Sequence, residues 1–507
     1  MRVTFTRRDG LALALVLVAA GALRLVALPG RGEWDDDQGG ELLTMLYWVR
    51  GGQLPDVGPL SSFGTAHHGV AYYWLLAPGA FLTDVDPVAA SATTALIGVA
   101  GVAATWWLGR EIGGPIGGYV AGLLAAVSPA AISASTFVWN SNVEGPAAAL
   151  AAAAGWRAWR TRQARWWMVA VVGVVVLTQA HLAAALAVPP LVGLAAADVM
   201  RRTPEERRRM LAPLMGAVAI ALIGYLPFLI HEVHQDFSES RAILDYLVNG
   251  TGPAGSGLAG LPVIAWRVLA SPVSGFVQSA PLAGFLALFV VATAVLIAAF
   301  GTVGVARQFG RWALGTTGWA IVALALITPS LGVITPGLPN DQYHLWLDPI
   351  LLASVGVAVA YLLNTRMAFE WVSGATILCA CVILSLVRIP PLQAPDGGWP
   401  AAVAASDRVR SITGDDPVAV TGVAKPGTAL IFPLQRDGVR IVDPGSANYL
   451  VVVCDPLFER AVRVQCGGPA ETSIAQQFGF PATGLVDRFS NSPRRVVCIF
   501  GVERPAI

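Results

Sequence analysis

Charged residues are scarce in this chain. Asp, Glu, Lys and Arg together make up 13% of its 507 residues, whereas hydrophobic residues make up 55%. A soluble globular protein carries about 25% charged residues, so the composition indicates an integral membrane protein. The formal net charge of +1 also lacks the basic excess typical of nucleic-acid-binding proteins.

Lysine and cysteine are rare as well. Lys425 is the only lysine, so arginine supplies all the other fixed basic charge. The five cysteines include no Cys-x-x-Cys pair, which argues against a metal site built on cysteine. Three cysteines of the polar last quarter are candidates for one disulfide in an oxidising compartment, with the pairing left open: Cys454, Cys466 and Cys498.

Long hydrophobic runs dominate the chain before Arg388. A helix that crosses a bilayer needs about 20 apolar residues. The predicted spans are 10–28, 88–108, 115–136, 145–160, 166–181, 182–199, 211–230, 280–302, 312–333, 346–363 and 371–388. We expect the first to be retained, because no convincing cleavage site of a signal peptide follows it. The run 68–82 is shorter and contains Pro78, which favours an interfacial or re-entrant segment.

Arginine-rich segments predict the orientation of these helices. Arginines precede the first span and recur in alternate loops at 157–165, 201–209 and 307–311. Cytoplasmic loops collect positive charge, so the N-terminus is predicted to be inside and the C-terminus outside. The Ala-, Gly-, Val- and Arg-rich composition suggests a bacterial source, and therefore a multi-pass protein of the cytoplasmic (inner) membrane.

The character of the chain changes after Arg388. Residues 390–507 hold most of the remaining charges, and β-like runs such as YLVVVC (449–454) alternate with helix-like segments such as ETSIAQQFGF (471–480). We therefore predict an α-helical polytopic membrane domain of about eleven transmembrane helices, residues 1–389. A small extracytoplasmic α/β domain, residues 390–507, is predicted to follow it.

Three consecutive carboxylates, residues 35–37, follow directly on the first predicted span. Crowded carboxylates repel one another and lose hydration near lipid, so the arrangement costs free energy unless the protein uses it. The segment lies in the predicted first outer loop, about 29–87, at the head of an amphipathic helix whose N-terminus Asp37 can cap. Capping explains one acid and leaves the others as candidates for function.

Histidines recur at the predicted outer face. His67 and His68 precede the aromatic triplet 72–74, which is typical of interface anchors, and both histidines are candidates for binding a metal or an anion. Gln179 and His181 lie between two apolar spans with almost no loop. Buried polar groups need partners, so this pair indicates either a polar cavity or hydrogen bonds between helices.

Five segments form a series along residues 1–363. They read DDDQGGELLTMLYWVRGGQLP (35–55), AHHGVAYYWLLAPG (66–79), VSPAAISASTFVWNSN (127–142), LTQAHLAAALAVPPL (177–191) and DQYHLWLDPILLA (341–353). In this order and on one predicted membrane side, the series resembles the GT-C membrane glycosyltransferases. The similar branch is that of protein O-mannosyltransferases and aminoarabinose transferases, which is like glycosyltransferase family 39. The resemblance implies a GT-C-type arrangement of the helices.

The chain departs from this family at two positions. The family's Asp-Glu pair reads Asp37-Gln38, and Ser141 replaces the proline of the Trp-Asn-Pro-Asn segment. Gln38 cannot ionise, so any role of the second acid passes to Asp36, to Glu41, or to no residue. A hard divalent cation takes several acidic ligands, so a divalent cation is left open and no other cofactor is predicted.

The resemblance implies a sugar donor carried on a polyprenyl phosphate and cleaved at the outer face. The acceptor hydroxyl, on a glycan, a lipid or a protein, must lose its proton on attack, which one carboxylate can accept. One base with direct displacement predicts inversion at the anomeric carbon. We expect Asp37 to be that base, with Asp36 as the alternative and Glu144 as a second acid facing it.

The donor phosphate needs cationic and hydrogen-bonding partners. Arginine binds phosphate through two parallel hydrogen bonds, so Arg241 and Arg267 lead the candidates. Five further residues of the quoted segments are candidates for the donor site: His67, His68, His181, Tyr343 and His344.

Three other functions fit part of the pattern. A polysaccharide polymerase or ligase also uses lipid-linked substrates, but is expected to rely on late outer loops. A transporter of lipid-linked glycans should show internal repeats and charges near mid-span, whereas the acids here lie in loops. A membrane scaffold that presents residues 390–507 leaves the acidic segment, Gln179 and His181 unexplained.

Overall fold

The computed structural model describes residues 6–61, 66–249, 257–333, 341–456, 459, 463–490 and 495–502. Helices make up most of this part, with one small sheet near its C-terminal end. The α-helices are α1 (Arg7–Leu25), α2 (Leu28–Arg31), α3 (Asp36–Gly51), α4 (Ala71–Thr83), α5 (Pro87–Val127), α6 (Pro129–Ser133), α7 (Glu144–Thr161), α8 (Arg165–Ala180), α9 (Val188–Met200), α10 (Pro204–Arg209), α11 (Leu211–His234), α12 (Ser238–Asn249), α13 (Leu261–Ser274), α14 (Pro281–Leu296), α15 (Gly304–Ile327), α16 (Asp348–Leu363), α17 (Ala368–Val387), α18 (Gly398–Thr413), α19 (Thr428–Arg436) and α20 (Pro469–Gln477). The strands are β1 (Val418–Gly422), β2 (Tyr449–Cys454), β3 (Leu485–Ser490) and β4 (Val496–Gly501).

Eight helical stretches of the described part are long and apolar enough to cross a membrane. The predicted number of about eleven is therefore not confirmed. One reason is that α5 runs for 41 residues through two predicted spans, with a break at Gly114, whose φ of +68° suits glycine, followed by Pro115. Another is that Gly257–Ser274, which includes α13, qualifies although it is not among the predicted spans.

The centre of the helical part is α16, which packs against α5, α7, α13, α14 and α17. Its contact with α5 depends on small residues, which let two helix backbones approach closely. A Cβ added to Gly356 would lie 2.5 Å from the carbonyl oxygen of Gly117. The two backbones therefore touch with no side chain between them.

This contact gives a stability prediction. Alanine at an exposed helix position normally stabilises relative to glycine, by about 0.5–1 kcal/mol. Gly356→Ala is instead expected to lower the melting temperature in detergent by several degrees, because backbone atoms must separate to admit the methyl group. Gly315→Ala in α15 is the control, since a Cβ there meets nothing within 4 Å. Equal melting temperatures for the two variants would contradict the close contact.

Helix α3 begins with a reciprocal cap. The Asp35 side chain accepts a hydrogen bond from the Asp37 backbone N–H at 2.8 Å, and the Gln38 side chain accepts one from the Asp35 N–H at 2.8 Å. The prediction that Asp37 is the capping residue is therefore wrong: Asp35 is the cap. Asp36 and Asp37 remain available for contacts with other parts of the chain.

The C-terminal region, residues 390–502, contains the sheet. The strand order is β1-β2-β4-β3, with β1 parallel to β2 and the other two pairs antiparallel. A disulfide joins Cys454 to Cys466, and Cys498 is free and buried in β4. The predicted fold class, a polytopic helical membrane protein with a small C-terminal α/β part, is confirmed.

Candidate active site

The acidic segment 35–37 lies against the C-terminal region. Lys425 Nζ is 2.8 Å from Asp37 Oδ1 and 3.8 Å from Asp35 Oδ2. The Asp36 carboxylate accepts hydrogen bonds from the backbone N–H groups of Gly427 at 2.8 Å and Ala429 at 2.9 Å. The crowded carboxylates are thus stabilised by a lysine and by the N-terminus of α19.

Glu41 lies one helical turn after Asp37, on the same face of α3. Its carboxylate is buried; Oε1 accepts a hydrogen bond from the Asn140 backbone N–H at 3.1 Å, and the Tyr72 hydroxyl lies beside it. Burial raises the pKa of Glu41 well above its usual range, and the nearby Asp37 and Asp35 add to that shift. Asp37, by contrast, has a side chain that is 45% exposed. In this helix Glu41 is therefore the carboxylate that faces the interior.

Glu144 and His181 form a buried pair behind Asn140. His181 Nδ1 is 3.4 Å from Glu144 Oε1, and neither residue is more than 7% exposed. The His181 ring lies 5.2 Å from that of His68 and 5.1 Å from that of Tyr343, between ring centroids. The Asn140 side-chain amide donates to the Ala180 carbonyl, next to His181 in the chain. Asn140 therefore connects Glu41 to this pair.

Gln179 fixes the loop that carries His68. Its side-chain amide donates to the Gly224 carbonyl at 2.9 Å and accepts from the Ala71 N–H at 3.3 Å. The Gln179 carbonyl also accepts from the Gly69 N–H at 2.9 Å. Gln179 therefore links the end of α8 to α4 and α11 by hydrogen bonds, whereas His181 faces Glu144.

Arg267 is completely buried and is held by a carboxylate. Its Nε and Nη2 lie 2.8 and 2.7 Å from Asp341 Oδ1, and its Nη1 donates to the Leu331 carbonyl at 3.1 Å. His344 Nε2 lies 3.4 Å from the same oxygen of Asp341. Tyr343 belongs to the same turn, so this group adjoins His181. We call the whole set the inner polar cluster: His68, Glu144, His181, Arg267, Asp341, Tyr343 and His344.

His67 belongs to a series of histidine–carboxylate contacts at the edge of this cluster. Its Nδ1 is 3.0 Å from Glu239 Oε1, and His231 Nε2 is 3.5 Å from the same oxygen. His231 Nδ1 lies 2.8 Å from Asp56. These contacts tie the loop at His67 to α11 and α12.

The structure brings together some of the predicted site residues and not others. His68, Glu144, His181, Arg267, Tyr343 and His344 meet in the inner polar cluster. Arg241 has a 64% exposed side chain and pairs with Asp236 at 2.8 Å, while Asp36 and Asp37 contact the C-terminal region. From the sequence, Glu41 was only an alternative for the role of the second acid. Its position four residues after Asp37, on the same face of a helix, was the signal that could have identified it as a candidate base.

A metal site is not apparent among the described residues. Within them, one group brings three ligand atoms within 4.8 Å of one another: Cys454, Cys466 and Glu471. The disulfide between the two cysteines removes the thiolates that would bind an ion.

One family model matches the chain over residues 67–231, and its description is dolichyl-phosphate-mannose-protein mannosyltransferase. The matched range includes His67, His68, Glu144 and His181. No curated protein matches the chain at a significant level.

Solved structures are similar over nearly the whole chain. ArnT from Cupriavidus metallidurans bound to undecaprenyl phosphate is 15% identical, with 98% of each chain covered and a TM-score of 0.60. Its apo state gives 15% identity, coverage of 97% of this chain and 98% of that one, and a TM-score of 0.61. The apo oligosaccharyltransferase of Archaeoglobus fulgidus is 11% identical, with 91% of this chain and 72% of that chain covered and a TM-score of 0.52. The predicted resemblance is therefore confirmed at the level of the fold: the chain is a multi-pass membrane protein with an ArnT-like fold.

Proposed function

We propose that the protein is an inverting glycosyltransferase that moves a sugar from a polyprenyl-phosphate donor to an acceptor hydroxyl at the outer face of a bacterial cytoplasmic membrane. The observation that carries the proposal is the inner polar cluster, in which arginine, histidine, tyrosine and carboxylate side chains converge within a GT-C fold. A similar structure holds undecaprenyl phosphate, which supports a lipid phosphate as the carrier.

Arg267 is the proposed anchor of the donor phosphate. A buried guanidinium presents a planar fork of donors that matches two phosphate oxygens. Asp341 holds this guanidinium in place by neutralising it, since an unpaired buried charge is costly. Tyr343 and the histidines at 68, 181 and 344 supply further donors around it. His67 and Arg241, at the edge, are proposed as outer contacts of the donor.

Glu41 is the proposed general base. A carboxylate that removes a proton from a hydroxyl works best when its pKa is raised toward the working pH, and burial produces that shift at Glu41. Asn140 bonds to Glu41 through its backbone and to Ala180, next to His181, through its side chain, and on this basis we place Glu41 near the sugar of a donor bound at Arg267. Asp37 and Asp36, the bases favoured by sequence analysis, are engaged by Lys425 and by α19. Glu144 is proposed as the second acid, through its contact with His181.

The proposal is tested with purified protein in nanodiscs and a panel of polyprenyl-phosphate mannose, glucose and arabinose, which also separates hexosyl from pentosyl transfer. We expect turnover of at least one donor and an anomeric configuration opposite to that of the donor, read by NMR of the product. A product of retained configuration would contradict a single-base displacement. Absence of both turnover and undecaprenyl phosphate binding would contradict the function itself.

A further inference from the structure

Helix α3 is held between two partners. On one side of α3, Glu41 Oε1 accepts a hydrogen bond from the Asn140 backbone N–H at 3.1 Å. The other side meets α19 of the C-terminal region so closely that a Cβ added to Gly39 would lie 2.2 Å from the Thr428 carbonyl oxygen. Since the contact is between backbones, α3 cannot shift toward α19, and a shift of α19 changes the support of α3.

The N-terminus of α19 is completed by α3. The first N–H groups of a helix need acceptors, and the residue at the cap position here, Gly427, has no side chain to provide one. Asp36 provides both acceptors, for Gly427 and Ala429, and Thr428 Oγ1 donates to the Asp36 carbonyl at 2.6 Å. A cap of this kind contributes about 1 kcal/mol.

Further contacts extend along the whole of α3. Before the helix, Trp34 Nε1 donates to the Ala429 carbonyl at 2.8 Å, and the Trp34 ring packs 4.6 Å from that of Trp399. At the far end, Arg50 donates to the Arg436 carbonyl at 3.1 Å. Lys425 adds its ion pairs with the first turn. The C-terminal region therefore contacts both ends and the middle of α3.

We propose that the C-terminal region sets the position of α3 so that Glu41 stays against Asn140, and that Asp36 and Lys425 are positioning residues for this base. The proposal rests on the proposed function, in which Glu41 accepts the acceptor proton. It gives the C-terminal region a part in catalysis that needs no contact with substrate. A displacement of about 1 Å in a reacting group can cost about 10²-fold in rate.

Two adjacent glycines of α3 allow a matched test. Gly39→Ala forces α19 away from α3, whereas a Cβ at Gly40 lies 3.8 Å from Thr428 Oγ1, which is an ordinary contact. Both changes raise helix propensity equally. We expect Gly39→Ala to lower kcat by about tenfold or more with the donor KM within twofold of wild type, and Gly40→Ala to leave both parameters within twofold.

Substitutions of Lys425 give a second test, which remains informative if Gly39→Ala fails to fold. Lys425→Gln is expected to lower kcat at unchanged donor KM, and Lys425→Arg to restore it, because arginine can also pair with Asp37. As the only lysine, Lys425 also reports the contact directly: an amine-acylating reagent, followed by peptide mass spectrometry, should modify it faster in Gly39→Ala than in Gly40→Ala.

The outcomes separate this proposal from the one it rests on. If Glu41→Gln is inactive while Gly39→Ala and Lys425→Gln keep wild-type kcat, the positioning role is overturned and the base stands. If Glu41→Gln is as active as wild type, the base assignment is overturned, and the positioning role with it.

Discussion

Replacing Glu41 with glutamine is expected to lower kcat by about 10²–10⁴-fold, the usual contribution of a general base. Glutamine keeps the volume of the side chain and an oxygen that can accept from the Asn140 N–H, so melting temperature and donor binding should change little. Because the base acts deprotonated, the wild-type rate should fall as the pH drops through the raised pKa of Glu41. The residual rate of Glu41→Gln should not show this decrease at low pH.

Asp37→Asn is the matched comparison, because it changes the acid one turn away on the same face of α3. It removes a partner of Lys425 and is expected to lower kcat by less than about tenfold, well below the loss of a general base. Should Asp37→Asn abolish turnover while Glu41→Gln spares it, the base is Asp37, as sequence analysis predicted. Glu144→Gln, measured in parallel, tests the second acid.

Removing the charge of Arg267 should strongly weaken donor-phosphate binding. The single change would leave the largely buried Asp341 carboxylate without its arginine partner, which would itself destabilise the protein. The variant to measure is therefore the double change Arg267→Met with Asp341→Asn, which removes both charges. Hydrogen bonds to charged groups contribute about 1.5–3 kcal/mol each, so we expect donor KM to rise by about 10-fold or more.

Binding can be read without turnover. Undecaprenyl phosphate should raise the melting temperature of the wild-type protein, as any ligand specific for the folded state does, and should not raise that of the double variant. Arg209→Gln is the control, because its exposed pair with Glu205 contributes little and lies outside the proposed site; it should bind as wild type. A double variant that is stabilised as strongly as wild type would place the phosphate elsewhere.

Much of this architecture could be predicted from the sequence. The apolar runs, the change of composition after Arg388 and the five quoted segments gave the fold class, and the Gln179–His181 junction indicated a polar interior. The acids were harder to place. The partners of Asp36 and Asp37 lie nearly 400 residues later in the chain, at Lys425 and the start of α19, and a sequence pattern carries no information on which loop meets which.

The helix count was not confirmed, for a different reason. One of the predicted spans and most of the next lie within α5, which counts as one stretch although its backbone is non-helical at Gly114, between those two spans. The prediction also missed Gly257–Ser274, because the polar α12 and the segment after it resemble a loop. Arg267 lies in that missed stretch, which is why its burial was not foreseen.

The backbone contact between α5 and α16 has a dynamic consequence. Where Gly117 and Gly356 meet, no side chain lies between the two backbones, so neither helix can shift toward the other and a separation would open a gap in a closely packed layer. We therefore expect any opening that admits the proposed lipid donor to come from elements at the periphery. Helix α11 is the natural moving part, because it packs mainly on α8 and buries only Ala217 and Glu232.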